Sequence, residues 1–409
     1  MFTINVDEVS TLTIDPRGDR SRLRERAVAL RNDFVDLSQD IHAHPELAFE
    51  ERFASRRLMD WLERAGFLVT NPIAELDTAF MASAGSGAPH IAYLLEYDAL
   101  PEIGHACGHN LIAAGGTLAA TLLQQALPDH AGTLSVIGTP AEEGGGGKII
   151  ELEAGVFDGV AAALMFHPGD RTLPWRHSIS SAHLSISFHG QAAHAAKDPQ
   201  SGRNALAAMI QFFVAVDGLR QHIPEKARIH GVIRHGGAAA NVVPDYTEAE
   251  MLVRDVTRER ALALVERVTA CAQGAALATG TTTTVKQASP VYTERKNNKT
   301  IAGRLAMYLE SLGVAVEAPS FANPAGSSDM GNVSLVLPAI HPYLQIADRG
   351  TPSHSVAFRE AASTQRAHDA AWNMAIALAH TGADLLTDPD LLTQARAEFD
   401  THGADIADG

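Results

Sequence analysis

The stretch HIAYLLEYDALPEIGHACGHNLIAAGGTLAATLLQQAL, residues 90–127, decides the fold. It begins with a short apolar run, passes through a polar loop and ends in a long apolar segment without proline. These patterns predict a buried strand, a loop and a helix. An apolar run followed by a loop recurs in GTLSVIGTPAEEGGGG at 132–147 and in GVAAALMFHPGD at 159–170. Strands that alternate with helices predict a mainly parallel α/β sheet.

The segments on either side of this unit predict further elements of the same domain. Residues 21–66 carry apolar residues at three- and four-residue spacing, which predicts helix; Pro45 interrupts the pattern and Gly66 ends it. Helices are also predicted at KIIELEAGVF, near 297–313 and after Arg359. We expect a loop at NPAGSSDMGN and a strand near PYLQIA.

Residues 180–292 follow a different order, which predicts a second, inserted domain. Six segments are typical of strand, helix, strand, strand, helix and strand in turn: HLSISFHG, RNALAAMIQFFVAVDGLRQ, RIHGVIRHG, YTEAEMLVRDV, RERALALVERVTACAQGAALAT and TTTTVKQAS. This β-α-β-β-α-β order is that of a ferredoxin-like unit. The first domain would then consist of residues 1–179 and 293–409.

Length and charge limit the classes of function. A chain of 409 residues is too long for one ordinary core, which predicts two domains. Hydrophobic residues make up 46% of the sequence and charged residues 20%, as in globular proteins. The net charge of −16, without a block of Lys and Arg, argues against nucleic acid and anionic membranes as partners.

The N-terminus and the cysteines predict a cytoplasmic protein. The start MFTINVDEVSTLTIDPRGDR lacks the basic region and apolar core of a signal peptide. No continuous apolar run approaches the ~20 residues that a membrane span needs. Cys107 and Cys271 are the only cysteines, too few for a disulfide framework, and they fit a reducing compartment.

Side chains that can bind a metal follow the predicted strands. They are Asp98 after IAYLLEY, Glu142 and Glu143 after TLSVIGT, His167 after AALMF, and Cys107 and His109 in the loop before a helix. Ligands of α/β proteins bind outside the carboxyl ends of parallel strands, so these side chains are expected to converge. Thiolate, imidazole and carboxylate are ligands that zinc accepts. In the Glu142–Glu143 pair, one carboxylate could bind metal while its neighbour acts as a base.

Three interpretations of GHACGHN, residues 104–110, stay open on the residues alone. Cys107 can be a buried structural thiol, a nucleophile with His105 or His109 as its base, or a metal ligand. Residues two apart in one loop seldom meet in nucleophile–base geometry, and the shared position after strands favours the metal site. GGGGK is not a phosphate-binding loop, because Ile149 follows the lysine instead of Ser or Thr.

Seven motifs occur in order along most of the chain: EYDALPEIGHACGHN, TPAEEGGGG, FHPGD, GQAAHAA, ANVVPD, SSDMGNVS and TPSHS. Together they resemble the co-catalytic dinuclear metallopeptidase family of aminoacylases, hippurate hydrolases and auxin-conjugate hydrolases. EYDALP with GHACGHNLIAA, and DMGNVS, are similar to the branch of p-aminobenzoyl-glutamate hydrolase and β-alanyl-dipeptide hydrolases. Residues 327–330 are Ser-Ser-Asp-Met where many relatives carry Gly-Ser-Glu-Asp, which implies a different substrate pocket.

The resemblance implies two divalent cations, with zinc expected and manganese, cobalt or nickel as alternatives. By motif match Cys107 would bridge them, Glu142 would be the general base and Asp98 would orient the ligands. The remaining ligands would be His109, Glu143, His167 and His354.

The resemblance also implies that the inserted domain is a lid through which the chain forms a homodimer. His194 in QAAHAA would stabilise an oxyanion, in relatives that of a neighbouring site, and Asn241 in ANVVPD would lie near the substrate. Arg254 and Arg359 are candidates to pair with a substrate carboxylate.

The implied activity is that of a metal-dependent amidohydrolase acting on an N-acyl or N-aminoacyl amino acid, a small dipeptide-like substrate of the p-aminobenzoyl-glutamate type. Glu142 would take a proton from a metal-activated water and pass it to the leaving amine. Two alternatives remain: a catalytically inactive, metal-stabilised binding or regulatory protein, and a Cys/His hydrolase that uses Cys107. A free carboxylate at Glu142 favours an enzyme, because a structural metal site has no use for it.

Overall fold

A six-stranded sheet forms the centre of the larger domain in a computed structural model, which describes residues 21–127, 131–321 and 326–405. Its strands are β1 (Leu68–Thr70), β2 (Phe80–Ser86), β3 (His90–Leu95), β4 (Gly132–Gly138), β5 (Ala162–Leu164) and β11 (Ala339–Ile340). They lie in the order β1-β2-β4-β3-β5-β11. The four from β4 to β11 are parallel, whereas β1 and β2 pair antiparallel. The predicted mixed, mainly parallel sheet is therefore confirmed.

Helices cover the sheet, as the apolar character of its strands requires. β3 is buried at every residue after His90, which is typical of a parallel strand covered on both faces. The helices of this domain are α1 (Ser21–Ala29), α2 (Arg31–Ala43), α3 (Arg52–Arg64), α4 (His109–Ala126), α5 (Gly147–Glu153), α8 (Lys299–Ser311), α9 (Met330–Ser334), α10 (Val356–Ala361), α11 (Gln365–Thr387) and α12 (Pro389–Thr401). α4 is buried along almost its whole length, because it packs between the sheet and α11.

The inserted domain has the predicted β-α-β-β-α-β order. Its elements are β7 (Ser180–His189), α6 (Ala205–Arg220), β8 (Arg228–His235), β9 (Tyr246–Asp255), α7 (Arg258–Thr279) and β10 (Thr282–Gln287). The four strands form an antiparallel sheet in the order β10-β7-β9-β8. All six elements fall inside residues 180–292, and the two boundaries of that range stay predictions.

The structure corrects the sequence analysis in two places. The helix predicted over 21–66 is three helices, since residues 44–51 around Pro45 are not helical and Leu30 separates α1 from α2. The loop predicted at NPAGSSDMGN contains α9, whose side chains Met330 and Val333 pack into the core. Residues 323–325 of that segment lie outside the described residues.

By length and composition α7 could cross a membrane, and no other helix of the described ranges could. The sequence analysis found no such segment. Leu264, Val268 and Ala272 of α7 are buried in the core of the inserted domain, which accounts for the apolar composition. A core helix of this kind is weak evidence for a membrane span.

Candidate metal centre

The candidate ligands gather at the carboxyl ends of β3, β4 and β5. Asp98 follows β3, and Glu142 and Glu143 follow β4. His167 begins β6 (His167–Gly169), a short strand that pairs in parallel with β12 (Tyr343–Gln345). His354 lies in the loop between β12 and α10. Three parallel strands therefore deliver these side chains to one edge of the sheet, as the sequence predicted.

A glycine between two candidate ligands sets the geometry of their loop. Gly108 has a φ of 74°, and a Cβ built on it would lie 2.9 Å from Cγ of Pro168. A larger residue would therefore push the loop away from the neighbouring His167. His109 begins α4 directly after this turn, so the turn fixes Cys107 and His109 against the end of β6.

The five ligands implied by the motifs form overlapping groups. Within each group the ligand atoms lie within 4.8 Å of one another. The groups are Cys107 with His109 and His167; Cys107 with Glu143 and His354; and His109 with Glu142 and Glu143. Because Cys107, His109 and Glu143 each occur twice, the groups describe one continuous cluster. Its size and donor types suit two adjacent divalent cations.

Hydrogen bonds orient the cluster from behind. Nδ1 of His109 donates to Oδ1 of Asp98 at 3.0 Å, and the backbone N–H of Glu143 donates to Oδ2 of Asp98 at 2.9 Å. Burial opposes ionisation of Asp98, but these contacts outweigh it and lower the pKa of that carboxyl. Asp98 is thus an anion that turns Nε2 of His109 towards the cluster, the arrangement usual for metal-binding histidines.

The front of the cluster contains buried polar atoms without a partner. Nε2 of His109 and Oε1 of Glu143 are fully buried, lack a hydrogen bond and lie 3.9 Å apart. Leaving such groups unsatisfied costs about 1–3 kcal/mol each. Oε1 of Glu143 is also 3.5 Å from Nε2 of His354. Cations between these atoms would satisfy them, so the residues fit the group that the motifs imply.

The charges of the cation-free cluster are strongly perturbed. Burial lowers the pKa of His109, but Asp98, Glu96 and Glu143 outweigh burial and raise it to about 10. Burial lowers the pKa of His167 to about 4. Burial and the neighbouring Glu143 raise the pKa of the Cys107 thiol well above its usual range. Without a cation Cys107 is therefore a protonated thiol, a poor nucleophile.

Glu142 is close to the cluster but differs from Glu143. Its side chain is almost fully buried, and burial together with Glu96 and Glu143 raises its pKa. Its backbone oxygen accepts a hydrogen bond of 2.6 Å from the hydroxyl of Tyr292. A carboxyl whose pKa is raised toward neutrality can both accept and return a proton.

His354 was assigned by the motif match alone, and its local structure explains why no pattern signals it. The residue sits in the left-handed region with a φ of 62° and is exposed on a loop. Its backbone N–H donates to the carbonyl of Ala106 at 3.1 Å, which attaches that loop to the one carrying Cys107. Backbone strain of this kind in a non-glycine residue clusters at functional sites.

The two lid residues do not join the cluster within the chain. His194 and Asn241 are exposed, and neither is among the residues that line the cleft described below. Their loops lie side by side: the N–H of Ala195 donates to the carbonyl of Asn241 at 3.0 Å. Their roles in the mechanism stay predictions.

The cluster opens into a cleft of about 700 Å³ between the two domains. The lid contributes Arg254, which donates to Oγ of Ser327 at 3.0 Å and whose pKa burial lowers. Arg295 lines the cleft from the larger domain, with a buried Nε that has no partner. Neither arginine has a carboxylate within 4.0 Å among the described residues. Arg359 is not among the lining residues and contacts Glu360 instead.

Sequence reasoning missed a buried charged group beside the cluster. Nζ of Lys148 donates to Oε1 of Glu96 at 2.6 Å and to Oδ1 of Asp329 at 2.8 Å, and all three side chains are fully buried. Glu96, Glu142 and Asp329 form a further group of close carboxylates. The only signal in the sequence was position: Glu96 is two residues before Asp98 and Lys148 is five after Glu143.

The chain is similar to known peptidases over most of its length. A family model described as a peptidase dimerisation domain matches residues 176–279. Xaa-Arg dipeptidase of Mus musculus is 37% identical over 396 residues, covering 93% of this chain and 92% of that protein. One of the p-aminobenzoyl-glutamate hydrolase polypeptides of Escherichia coli strain K12 is 38% identical over 273 residues, covering 62% of this chain and 57% of that one.

A solved structure shares the fold. A Bacillus subtilis protein described as a dinuclear metal-binding peptidase from the M20 family superposes with a TM-score of 0.60 at 24% identity. The match covers 86% of this chain and 99% of that one. The region that matches the dimerisation model overlaps the inserted domain from β7 to α7.

Proposed function

Because the chain belongs to the M20 peptidase family and is a hydrolase of the peptidase and amidohydrolase class, we propose that it cleaves the amide bond of a small dipeptide-like substrate. The leaving group would be an amino acid or a similar amine with a free carboxylate. The observation that carries this proposal is the cluster of five ligand residues with one extra carboxylate, Glu142, beside it.

Two divalent cations, with zinc the first expectation, would occupy the cluster. Cys107 lies in two of the ligand groups, which supports a bridging position for its sulfur. His109, Glu143, His167 and His354 would complete the ligand set. When bound, such cations lower the pKa of water and polarise a carbonyl oxygen.

Glu142 would act as the proton carrier of the reaction. It would accept a proton from the attacking water, hold it in its buried carboxyl and deliver it to the nitrogen of the scissile amide. The hydrogen bond from Tyr292 to its backbone oxygen keeps this residue at the rim of the cleft. A carboxylate in a general acid–base role contributes about 10²–10⁴-fold to the rate.

Arg254 is the better of the two arginines proposed for the substrate carboxylate. It lines the cleft, is largely buried and has no acidic partner among the described residues, whereas Arg359 lies outside. A guanidinium in a partly desolvated cleft binds carboxylate in a bidentate manner. The relatives named for Xaa-Arg dipeptides and for p-aminobenzoyl-glutamate both act on compounds with such a carboxylate, which supports this assignment.

The lid would join two chains into a homodimer. β8 is an edge strand of the lid sheet, and its Val232 and Ile233 are exposed. Ile210 and Val214 of α6 are exposed as well. An edge strand with apolar neighbours is suited to pairing with a second copy, and the match to a dimerisation domain supports that partner. His194 and Asn241 of one lid would then reach the cleft of the partner.

A reducing, cytoplasmic location fits these proposals. Cys107 and Cys271 are both free, and a bridging sulfur must stay reduced to bind cations.

A substrate panel tests the proposed function. Dipeptides with basic, acidic and neutral C-terminal residues, N-acyl amino acids and p-aminobenzoyl-glutamate would be incubated with the cation-loaded protein, and products identified by mass. We expect cleavage of at least one compound, abolished by a chelator. Glu142→Gln should bind the same cations and cleave none.

Two outcomes would contradict the proposal. Cleavage that survives complete cation removal would point to Cys107 as a nucleophile. Cation binding without cleavage of any compound would favour a binding or regulatory protein.

A further inference from the structure

Lys148 organises a buried charge cluster that the proposed mechanism does not use. Its side chain is fully buried and binds Oε1 of Glu96 and Oδ1 of Asp329, while its backbone N–H donates to Oδ2 of Asp329 at 3.1 Å. Buried lysines are rare unless they are paired. Since one cation faces two carboxylates, the three side chains together carry one excess negative charge.

The excess charge has a specific location. Oε1 of Glu96 is held by Lys148, but Oε2 of Glu96 is fully buried and has no hydrogen-bond partner. It lies 3.6 Å from Nε2 of His109, which also lacks a partner. That distance is too long for a hydrogen bond between the two atoms. Two buried ligand atoms thus face each other across a gap.

The gap has the dimensions of a shared cation. Ligand atoms at about 2.0–2.2 Å from a tetrahedral zinc ion stand roughly 3.3–3.6 Å from one another. The separation of Glu96 Oε2 from His109 Nε2 falls at the end of that range, like the 3.5 Å between Glu143 Oε1 and His354 Nε2. The distance from His109 Nε2 to Glu143 Oε1 is slightly longer, 3.9 Å.

We propose that Glu96 is a sixth cation ligand, which binds through Oε2 the same cation as His109 and Glu143. Lys148 and Asp329 are positioning residues that hold this carboxylate in place. The inference rests on the proposed two-cation function and extends its ligand set. It also explains why a lysine and two acids are buried beside the cluster: Lys148 and Asp329 neutralise each other, and the charge of Glu96 is left for the cation.

Replacing the carboxylate by an amide tests the ligand role. In Glu96→Gln the neutral amide oxygen is a weak ligand, and we expect the affinity of one of the two cations to fall by at least about tenfold, the lower end of losses seen when groups around a metal are altered. The other cation should stay bound. Competition with a chromophoric zinc chelator gives both affinities, and elemental analysis gives the stoichiometry.

Glu151→Gln is the matched control. Glu151 is fully buried on α5, three residues after Lys148, and both of its oxygens lack partners. Burial raises its pKa, so it carries a proton and an amide resembles it closely. It belongs to none of the ligand groups found among the described residues. The control should bind both zinc ions with wild-type affinity. Wild-type affinities in Glu96→Gln would overturn the proposal.

A crystal structure of the wild-type protein grown with zinc decides the case even if Glu96→Gln fails to fold. An Oε2–zinc distance of about 2.0–2.2 Å supports the proposal, and one beyond about 3 Å overturns it. Two bound ions with a distant Glu96 would refute this inference alone. Absence of any zinc from the cluster would refute both this inference and the proposed function.

Discussion

Cation binding should release at least two protons from each chain near pH 7.5. In the cation-free protein His109 is protonated, because the surrounding acids overcome burial and raise its pKa to about 10. Cys107 is a protonated thiol, because burial and Glu143 raise its pKa. Both residues must lose a proton to bind a cation. His167 has no proton to lose above its pKa of about 4, which burial sets.

The pH dependence of affinity follows in sign and size. Since two protons leave as the cations bind, the product of the two association constants should rise about 100-fold per pH unit around neutrality. Glu142, whose pKa burial and two neighbouring acids raise, would add a third proton if it ionises when the cations enter. The dependence should flatten as the pH approaches 10, where His109 loses its proton unaided.

Isothermal titration calorimetry measures the released protons directly. Zinc is titrated into cation-free protein at one pH in several buffers, and the slope of apparent enthalpy against buffer ionisation enthalpy counts the protons. Cys107→Ser should release one proton fewer than the wild type. A release below one proton, or an unchanged release in Cys107→Ser, would refute the assigned charge states of the cluster.

Four further predictions concern catalysis, backbone and assembly. Glu142→Gln should keep two cations and lose about 10²–10⁴-fold in turnover, measured by product mass. Gly147→Ala places a Cβ 1.9 Å from a backbone oxygen and should destabilise by about 1–3 kcal/mol in chemical denaturation, while Gly144→Ala, with open space around it, should change little. Val214→Asp should weaken dimerisation about tenfold or more in sedimentation, with exposed Leu277→Asp on α7 as the control. Mixing His194→Ala with Glu142→Ala chains should restore part of the activity through hybrid dimers; no recovery after verified exchange of chains would contradict a shared site.

The sequence predicted those parts of the fold that depend on local pattern. The apolar run of β3 and the long apolar α4 are buried on all sides, so their composition is uniform and easy to recognise. The alternation of β9, buried at every second residue, made the lid equally legible. α9 was not predicted, because it is only five residues long and follows a segment rich in Gly and Ser.

The candidate site was predictable to the extent that chain order brings it together. Glu142 and His167 follow strands, and parallel strands end at one edge of a sheet. His354 required the resemblance, since a histidine on a loop far along the chain carries no pattern. The pairing of Glu96 with Lys148 was beyond sequence reasoning, because it depends on α5 turning back towards β3. The family assignment itself is confirmed by the relatives.

The central claim is that two divalent cations in this cluster are required for amide hydrolysis. The most direct measurement is elemental analysis of the purified protein, paired with cleavage rates during chelation and stepwise return of zinc. We expect two ions per chain, loss of cleavage as they are removed and recovery as they are restored. Undiminished cleavage by protein that contains no divalent ion would contradict the account.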